Sequence, residues 1–251
     1  MDFGIEGKVA LVTGATKGIG LGIAQALARE GTRVSVVART EADVKRVATE
    51  INGFGVVADV TTEEGCKRSV DQTQQNLGPI EILVNNFGAR AGSTWSDTGE
   101  KEFEAAFEGN VIVSARMTKR VLPGMIERGW GRVVVITSVW GREAGGAPAY
   151  NAAKAAEISM VKSLAREVAK QGVTVNAIAP GSILWDGGGW HRRQQADPQG
   201  IEEFVRHEMP MGRFGTVDEV ANVVAFICSR QAGLLTGACI NVDGGQSRSN
   251  I

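Results

Sequence analysis

The chain contains one tyrosine, Tyr150, and Lys154 follows it by four residues. If this segment is helical, both side chains lie on one face, so the phenol and the ammonium point into the same space. A nearby positive charge stabilises a phenolate and brings the pKa of a phenol down from about 10. The pair therefore predicts a general acid or base. Surface helices carry the same spacing by chance, so the pair needs further support.

A glycine-rich turn near the N-terminus supplies that support. Residues 7–40 read as strand, turn, helix and strand, and the apolar run 9–12 precedes Gly14, Gly18 and Gly20. Such glycines let the backbone approach a pyrophosphate, while the helix that follows offers free N–H groups and a positive dipole end. The spacing Gly-x-x-x-Gly-x-Gly matches neither the Gly-x-Gly-x-x-Gly fingerprint nor a P-loop. The alternative is a turn that is merely tightly packed.

Apolar segments typical of buried parallel strands recur along the chain, and each ends in polar residues or glycine. They lie at residues 9–12, 34–38, 56–60, 80–84, 132–137, 173–179 and 238–242. Helical stretches separate them, which predicts an α/β fold with a doubly wound, mostly parallel sheet of about seven strands flanked by helices. Ligands of such sheets bind at the carboxyl ends of the strands, so the functional candidates directly follow each strand.

The residues at these strand ends resemble one known family. In chain order they are Thr13-Gly-x-x-x-Gly18-Ile-Gly20, Asp59-Val60, Asn85-Asn86-Phe87-Gly88, Asn110, Ser138, Tyr150-x-x-x-Lys154 and Pro180-Gly181. Their order and spacing are similar to those of short-chain dehydrogenases/reductases, in the branch of 3-oxoacyl reductases and sugar-alcohol dehydrogenases. Phe87 departs from the usual alanine, and bulky residues surround Ser138. The resemblance implies one Rossmann-type dinucleotide-binding oxidoreductase domain over residues 1–251.

The resemblance also implies a hydride transfer between a nicotinamide cofactor and a carbonyl or secondary alcohol. Tyr150 would give or take the hydroxyl proton as general acid or base, and Ser138 would hydrogen-bond the same oxygen. Lys154 would stabilise the phenolate and hold the nicotinamide ribose, and Asn110 would hold a water that connects Lys154 to solvent. The alternatives are structural: Ser138 merely ends a strand, and Asn110 caps a turn.

The implied cofactor site is spread over several strand ends. Pro180, Gly181 and Ile183 would form a floor under the nicotinamide, and Asp59 would hydrogen-bond the adenine beside Val60. The full implied set of cofactor contacts is Thr13, Gly14, Lys17, Gly18, Ile19, Gly20, Arg39, Asp59, Val60, Asn86, Gly88, Tyr150, Lys154, Pro180, Gly181 and Ile183.

The end of the second strand bears on the choice of cofactor. Enzymes that prefer NAD place a carboxylate there for the ribose 2′-OH, whereas those that prefer NADP use groups that attract a phosphate. Here Arg39 follows the strand, no acidic residue precedes Glu41, and Lys17 stands in the glycine turn. A guanidinium fork fits phosphate geometry, so we expect NADP in preference to NAD. The alternative is that Arg39 stacks on adenine and Lys17 is solvated.

Composition excludes several other classes of protein. The 27 basic and 28 acidic residues give a net charge of −1, which argues against nucleic acid or an anionic membrane as partner. Three widely spaced cysteines and two histidines suggest neither a disulfide framework nor a metal site. The sequence has no signal-peptide pattern and no apolar stretch of membrane-spanning length, so we expect a cytoplasmic protein with a small-molecule substrate.

Residues 182–215 read as a long irregular segment, which the resemblance identifies as the substrate loop. Trp185 and Trp190 in this segment either cover a bound ligand or only pack the segment onto the body.

The predicted helix after Tyr150 has two different faces. One face is apolar and the other is made of small residues: Ile158, Val161, Leu164, Ala165 and Val168 against Ala152, Ala155, Ala156 and Ser159. The resemblance implies that this helix and the one before it pair across a two-fold axis and that strand 238–242 makes a second contact, giving a homotetramer. The alternative is that the alanines only reflect helix propensity.

The sequence leaves other functions open. A non-catalytic dinucleotide-binding sensor, an NAD-preferring sugar or polyol dehydrogenase, and a lyase or epimerase can all use this scaffold, because a fold does not fix a function. The intact set of catalytic candidates favours an NADP-dependent oxidoreductase over the sensor. No feature of the sequence identifies the substrate.

Overall fold

A computed structural model describes residues 2–250 and has a seven-stranded parallel sheet as its centre. The strands are β1 (Val9–Thr13), β2 (Arg33–Ala38), β3 (Phe54–Val57), β4 (Ile80–Asn85), β5 (Gly131–Ile136), β6 (Val173–Pro180) and β7 (Cys239–Val242). Their order in the sheet is β3-β2-β1-β4-β5-β6-β7. The doubly wound α/β sheet predicted from the sequence is confirmed.

Helices connect the strands and cover both faces of the sheet. They are α1 (Gly18–Arg29), α2 (Glu41–Glu50), α3 (Glu63–Leu77), α4 (Glu100–Phe107), α5 (Val113–Glu127), α6 (Pro148–Val168), α7 (Gly189–Ala196), α8 (Pro198–Glu208) and α9 (Val217–Cys228). A π-helical turn over Glu108–Ile112 joins α4 to α5, and a 3₁₀ turn over Val139–Gly141 follows β5.

The core lies on both faces because successive side chains of a strand point to opposite sides. Ala10 and Val12 of β1 pack in the cluster that contains α1 and α9. Val9 and Leu11 pack in the cluster that contains α3, α5 and α6. Burial on both faces explains why these strands are continuously apolar rather than alternating.

The strand order reverses between β1 and β4, which are parallel neighbours although β2 and β3 lie between them in the sequence. At such a switch point the loops that leave the two strands diverge and open a crevice at their carboxyl ends. The structure therefore puts the glycine turn after β1 and the asparagines after β4 at one crevice.

Two of our expectations about elements were wrong. The third strand ends at Val57 rather than at residue 60, because the parallel pairing with β2 stops where Val57 lies opposite Ala38. Residues 182–215 are not an irregular loop, since they contain α7 and α8. Asp197 accepts a hydrogen bond from the Gly200 amide at 2.9 Å and Pro198 begins α8, which is a helix start readable from the sequence.

Among residues 2–250, none of the helices has the length and apolar character needed to cross a membrane.

Candidate active site

The glycine turn between β1 and α1 has the shape needed to approach an anion. Gly14 and Gly18 have φ of +63° and +53°, which residues with a side chain rarely adopt. A Cβ at Gly20 would lie 2.3 Å from the Gly14 carbonyl oxygen, so only glycine fits there. Lys17 precedes α1 and makes no side-chain cap. The first amides of α1 are therefore left for another acceptor, such as a phosphate.

Side chains at the ends of β1 and β4 fix this turn to the sheet. Thr13 Oγ1 accepts hydrogen bonds from the amides of Asn86 and Phe87, each at 3.0 Å. Asn86 Nδ2 donates in return to the carbonyl oxygens of Thr13 at 2.9 Å and Gly14 at 3.2 Å. Asn86 therefore clamps the glycine turn to the end of β4. The sequence alone indicated only that Asn86 belongs to the cofactor site.

The adenosine end of the expected site carries two exposed cations. Lys17 lies on the glycine turn and Arg39 directly follows β2, and both are exposed. Asp59 follows β3, and its Oδ1 accepts from the Thr61 hydroxyl at 2.7 Å and the Thr61 amide at 3.0 Å. The Thr61 hydrogen bonds, with a smaller contribution from the charge of Arg39, hold the pKa of the Asp59 carboxyl below its usual range. The charge of Arg39 therefore acts on the Asp59 carboxyl.

Tyr150 and Lys154 lie together on the first turns of α6, as their spacing predicted. Both are buried, with exposed fractions of 9% and 2%. Lys154 Nζ lies 5.5 Å from the centre of the Tyr150 ring. It also donates to the carbonyl oxygen of Ile136, the last residue of β5, at 3.0 Å. The ammonium is thus anchored to the sheet and faces the phenol.

Ser138 directly follows β5 and is the N-cap of the 3₁₀ turn Val139–Gly141. Its hydroxyl accepts a hydrogen bond from the Trp140 amide at 3.2 Å. Gly141 closes the turn against α6, where a Cβ would lie 2.7 Å from the carbonyl carbon and oxygen of Lys154. The absence of a side chain at Gly141 therefore lets the Ser138 turn contact the helix that carries Tyr150.

Asn110 lies in the π-helical turn between α4 and α5 and is fully buried. Its Nδ2 donates to the carbonyl oxygens of Ala106 at 2.7 Å and Ala89 at 2.8 Å. Its Oδ1 has no hydrogen-bond partner within the described chain. A Cβ at Gly88 would lie 2.9 Å from this oxygen and 3.4 Å from Lys154 Nζ. Asn110 Oδ1 and the Lys154 ammonium therefore border the same small space at Gly88.

The segment after β6 reaches back to the glycine turn. The Gly181 amide donates to the Val242 carbonyl at 3.1 Å, and Ile183 is buried and paired with Gly215. The Trp185 ring covers Gly18, because a Cβ at Gly18 would lie 2.7 Å from the indole. Pro180, Gly181 and Ile183 therefore lie on the same side of the molecule as the glycine turn, at the carboxyl ends of the strands.

The two tryptophans of the 182–215 segment differ in their contacts. Trp190 packs within the segment, since its ring lies 4.6 Å from Phe204 and 5.2 Å from Phe214 between centroids. Trp185 instead lies on the glycine turn. Of the two side chains, Trp185 is thus the one next to the expected cofactor.

Comparisons with known proteins agree with this geometry. A family model described as enoyl-(acyl carrier protein) reductase matches residues 14–247. The chain is 37% identical over 243 residues to the 3-oxoacyl-[acyl-carrier-protein] reductase of Escherichia coli (strain K12), covering 96% of this chain and 97% of that protein. It is 35% identical over 241 residues to the acetoacetyl-CoA reductase of Shinella zoogloeoides, covering 95% and 98%.

The chain belongs to the short-chain dehydrogenase/reductase family. A crystal structure of L-sorbose reductase from Gluconobacter frateurii complexed with NADPH and L-sorbose also matches, with a TM-score of 0.93 and 31% identity, over 99% of this chain and 100% of that one. The family and the oxidoreductase class predicted from the sequence are confirmed.

Two charged residues beside the candidate site of this short-chain dehydrogenase/reductase were not found from the sequence. Glu157 is fully buried and accepts a hydrogen bond from Lys154 Nζ at 2.8 Å. Its signal was its position three residues after Lys154, on the same helix face. The Arg90 guanidinium carbon lies 5.0 Å from the Tyr150 ring centre, and no local pattern indicated this contact.

Proposed function

We propose that this chain is an NADP(H)-dependent reductase of carbonyl groups in which Tyr150 is the general acid and base. The observation that supports this best is the cluster at the ends of β4 and β5, where the ammonium of Lys154 faces the Tyr150 ring and Asn110 borders the same space. A non-catalytic sensor would need none of these groups, so the cluster favours an enzyme.

The residues present fit a dinucleotide. The pyrophosphate would lie on the amides of Gly18, Ile19 and Gly20, since α1 begins there without a side-chain cap. Thr13, Asn86 and Gly14 keep that turn in shape, and Asp59 with Val60 would receive the adenine. When bound, the cofactor supplies the hydride. The nicotinamide end would lie between the Pro180–Ile183 floor and Lys154, with Gly88 leaving room for the ribose.

The charged residues near the end of β2 favour NADP over NAD as the cofactor. Arg39 and Lys17 are exposed cations at the place where a 2′-phosphate would lie, and no carboxylate occupies the first position after β2. The related L-sorbose reductase was crystallised with NADPH, which supports the same choice here.

Side chains of the protein would transfer the proton to the substrate. Tyr150 would donate its phenolic proton to the carbonyl oxygen of the substrate during reduction, and Ser138 would hold that oxygen by a hydrogen bond. Lys154 would stabilise the phenolate that remains, because a hydrogen bond to the Ile136 carbonyl holds its ammonium on the side of the ring. Asn110 would direct its free Oδ1 to a water beside Lys154.

The test is NADPH oxidation by the purified protein with acetoacetyl-CoA and with L-sorbose, followed by the absorbance of the reduced nicotinamide. These two probes represent the thioester and sugar classes named for the relatives. Tyr150→Phe removes the proton donor, so turnover should fall by at least ~10²-fold while NADPH still binds. Near-normal turnover in that variant would remove Tyr150 from the mechanism. Tight NADPH binding without turnover of any carbonyl would favour the sensor.

We further propose a homotetramer and a single domain over residues 1–251 in the cytoplasm, with 182–215 as the substrate segment. An apolar groove of about 520 Å³ lies between α5 and α6, with Leu122, Ile126, Met160 and Leu164 among its lining residues. A second copy of the same helix pair would fill it. In the turn that precedes β7 in the chain, Leu234 is 97% exposed, which supports the second contact. Sedimentation at micromolar concentration tests this, and a mass near 26.5 kDa would exclude it.

A further inference from the structure

A fully buried carboxylate, that of Glu157, lies directly behind the ammonium of Lys154. We propose that Glu157 is a positioning residue that keeps the Lys154 ammonium charged and in place beside Tyr150. The inference rests on the proposed roles of Tyr150 and Lys154, but the experiment below needs no substrate and no turnover.

The contacts of Glu157 are complete and specific. Its Oε2 accepts from Lys154 Nζ at 2.8 Å, and its Oε1 accepts from the Ser114 hydroxyl of α5 at 3.1 Å. Lys154 and Glu157 have side-chain exposed fractions of 3% and 1%. Each carboxylate oxygen therefore has a donor, and one donor is the lysine of the candidate site.

A buried carboxylate is costly, so its presence needs a reason. Removing an ionised group from water is strongly unfavourable unless a partner charge and hydrogen bonds compensate. Burial raises the pKa of the Glu157 carboxyl, and the charge of Lys154 opposes that rise. An apolar side chain at this position would avoid the cost but, among residues 2–250, would leave the ammonium with the Ile136 carbonyl as its sole hydrogen-bond acceptor.

Within residues 2–250, two cations lie over the Tyr150 ring. Lys154 faces the Tyr150 ring from α6 at 5.5 Å, and Arg90 faces it from the segment after β4 at 5.0 Å. Among the described residues, the charged contact of Glu157 is with Lys154. Arg90 is exposed to water, which screens its charge. The buried ammonium is therefore the charge with most effect on the phenolate, and Glu157 controls that charge.

The single tyrosine of the chain makes a direct test possible. Tyrosinate absorbs in the near ultraviolet where the neutral phenol does not, so a pH titration of this absorbance reports Tyr150 alone, with Tyr150→Phe as the blank. Glu157→Gln keeps the shape of the side chain and removes its charge. A buried ammonium without a counter-charge tends to neutralise. The tyrosinate midpoint should therefore move to higher pH, by about one unit.

Two further variants separate positioning from folding. Glu157→Asp restores the carboxylate and should bring the midpoint back towards that of the wild type. In a Lys154→Met background, Glu157→Gln should cause no upward shift, because no ammonium is left to lose. Val161→Ala shortens a buried side chain one turn further along α6 and should lower the unfolding temperature without moving the midpoint.

The proposal is overturned if Glu157→Gln leaves the midpoint unchanged, since Glu157 would then be only a packing element. A shift to lower pH would overturn it as well, because it would show that the carboxylate opposes the lysine rather than maintaining its charge. Failure to reduce acetoacetyl-CoA or L-sorbose would count against the proposed function but would leave the titration result standing.

Discussion

Gly20→Ala should damage both the fold and cofactor binding, because the added methyl group has no room. The new Cβ would lie 2.3 Å from the Gly14 carbonyl oxygen and 2.4 Å from Asn86 Nδ2, well inside van der Waals contact. The obstacle is the backbone of a turn that Asn86 holds through hydrogen bonds to Thr13 and Gly14. Relief therefore requires the whole clamp to move.

The expected loss of stability can be estimated from these contacts. Forcing a methyl group into a packed site costs about 1–3 kcal/mol, and each clamp hydrogen bond that is lost costs about 0.5–1.5 kcal/mol. The higher helix propensity of alanine compared with glycine offsets about 1 kcal/mol of this loss. With both Asn86 hydrogen bonds lost, the net destabilisation is about 1–5 kcal/mol. For a chain of this size that corresponds to a fall of about 2–20 °C in Tm.

Thermal unfolding followed by circular dichroism measures the first effect, and calorimetric titration with NADPH measures the second. The affinity should fall at least about tenfold, because displaced amides no longer point at the pyrophosphate. Gly189→Ala is the matched control, since a Cβ there meets nothing within 4 Å at the start of α7. An unchanged Tm together with unchanged NADPH affinity in Gly20→Ala would refute the reasoning about the turn.

Two further predictions concern charges. Arg39→Ala should weaken NADP binding by about 1.5–3 kcal/mol, the value of a charged hydrogen bond, and barely change NAD binding; equal weakening of both cofactors would contradict a role at the 2′-phosphate. Glu219 caps α9 through Thr216, and the Arg213 hydrogen bond, with those from Thr216, lowers the pKa of its carboxyl to about 2. Because the pKa of this carboxyl is lower in the folded protein than the value near 4.5 expected in the unfolded chain, its ionised form stabilises the fold above about pH 4.5. That stabilisation is lost as the pH falls towards 2. Wild type should therefore unfold at higher temperature than Glu219→Gln at neutral pH, and this difference should shrink between about pH 5 and pH 2; a pH-independent difference would contradict it.

Some secondary-structure elements could be predicted from the sequence and others could not. The strands were predicted well because β1, β4 and β6 are buried on both faces and therefore mostly apolar. Helix α7 was missed because it buries no residue and so has no apolar stripe, and the glycines before it read as a loop. Helix α8 was missed although Asp197 and Pro198 mark its start. The end of β3 was misplaced because pairing with β2, and not local composition, ends it.

The sequence by itself determined the features that depend on neighbours along the chain. The four-residue spacing of Tyr150 and Lys154 requires them to share a helix face, and the glycines after β1 require a turn without side chains. The order of the strand-end residues also determined the family, because their chemistry recurs at fixed intervals.

Only the tertiary structure decided which polar groups meet and which are buried. In the sequence, Glu157 is one of many glutamates in helices, and only the folded structure shows that it is buried. Gly141 likewise resembles an ordinary turn residue in the sequence, and only the structure shows that it lies against α6. Asn86 became a clamp because β1 and β4 are neighbours in the sheet although more than seventy residues apart. The physical reason is that burial and hydrogen-bond partners arise from packing between distant segments, whereas periodicity and turn chemistry are local.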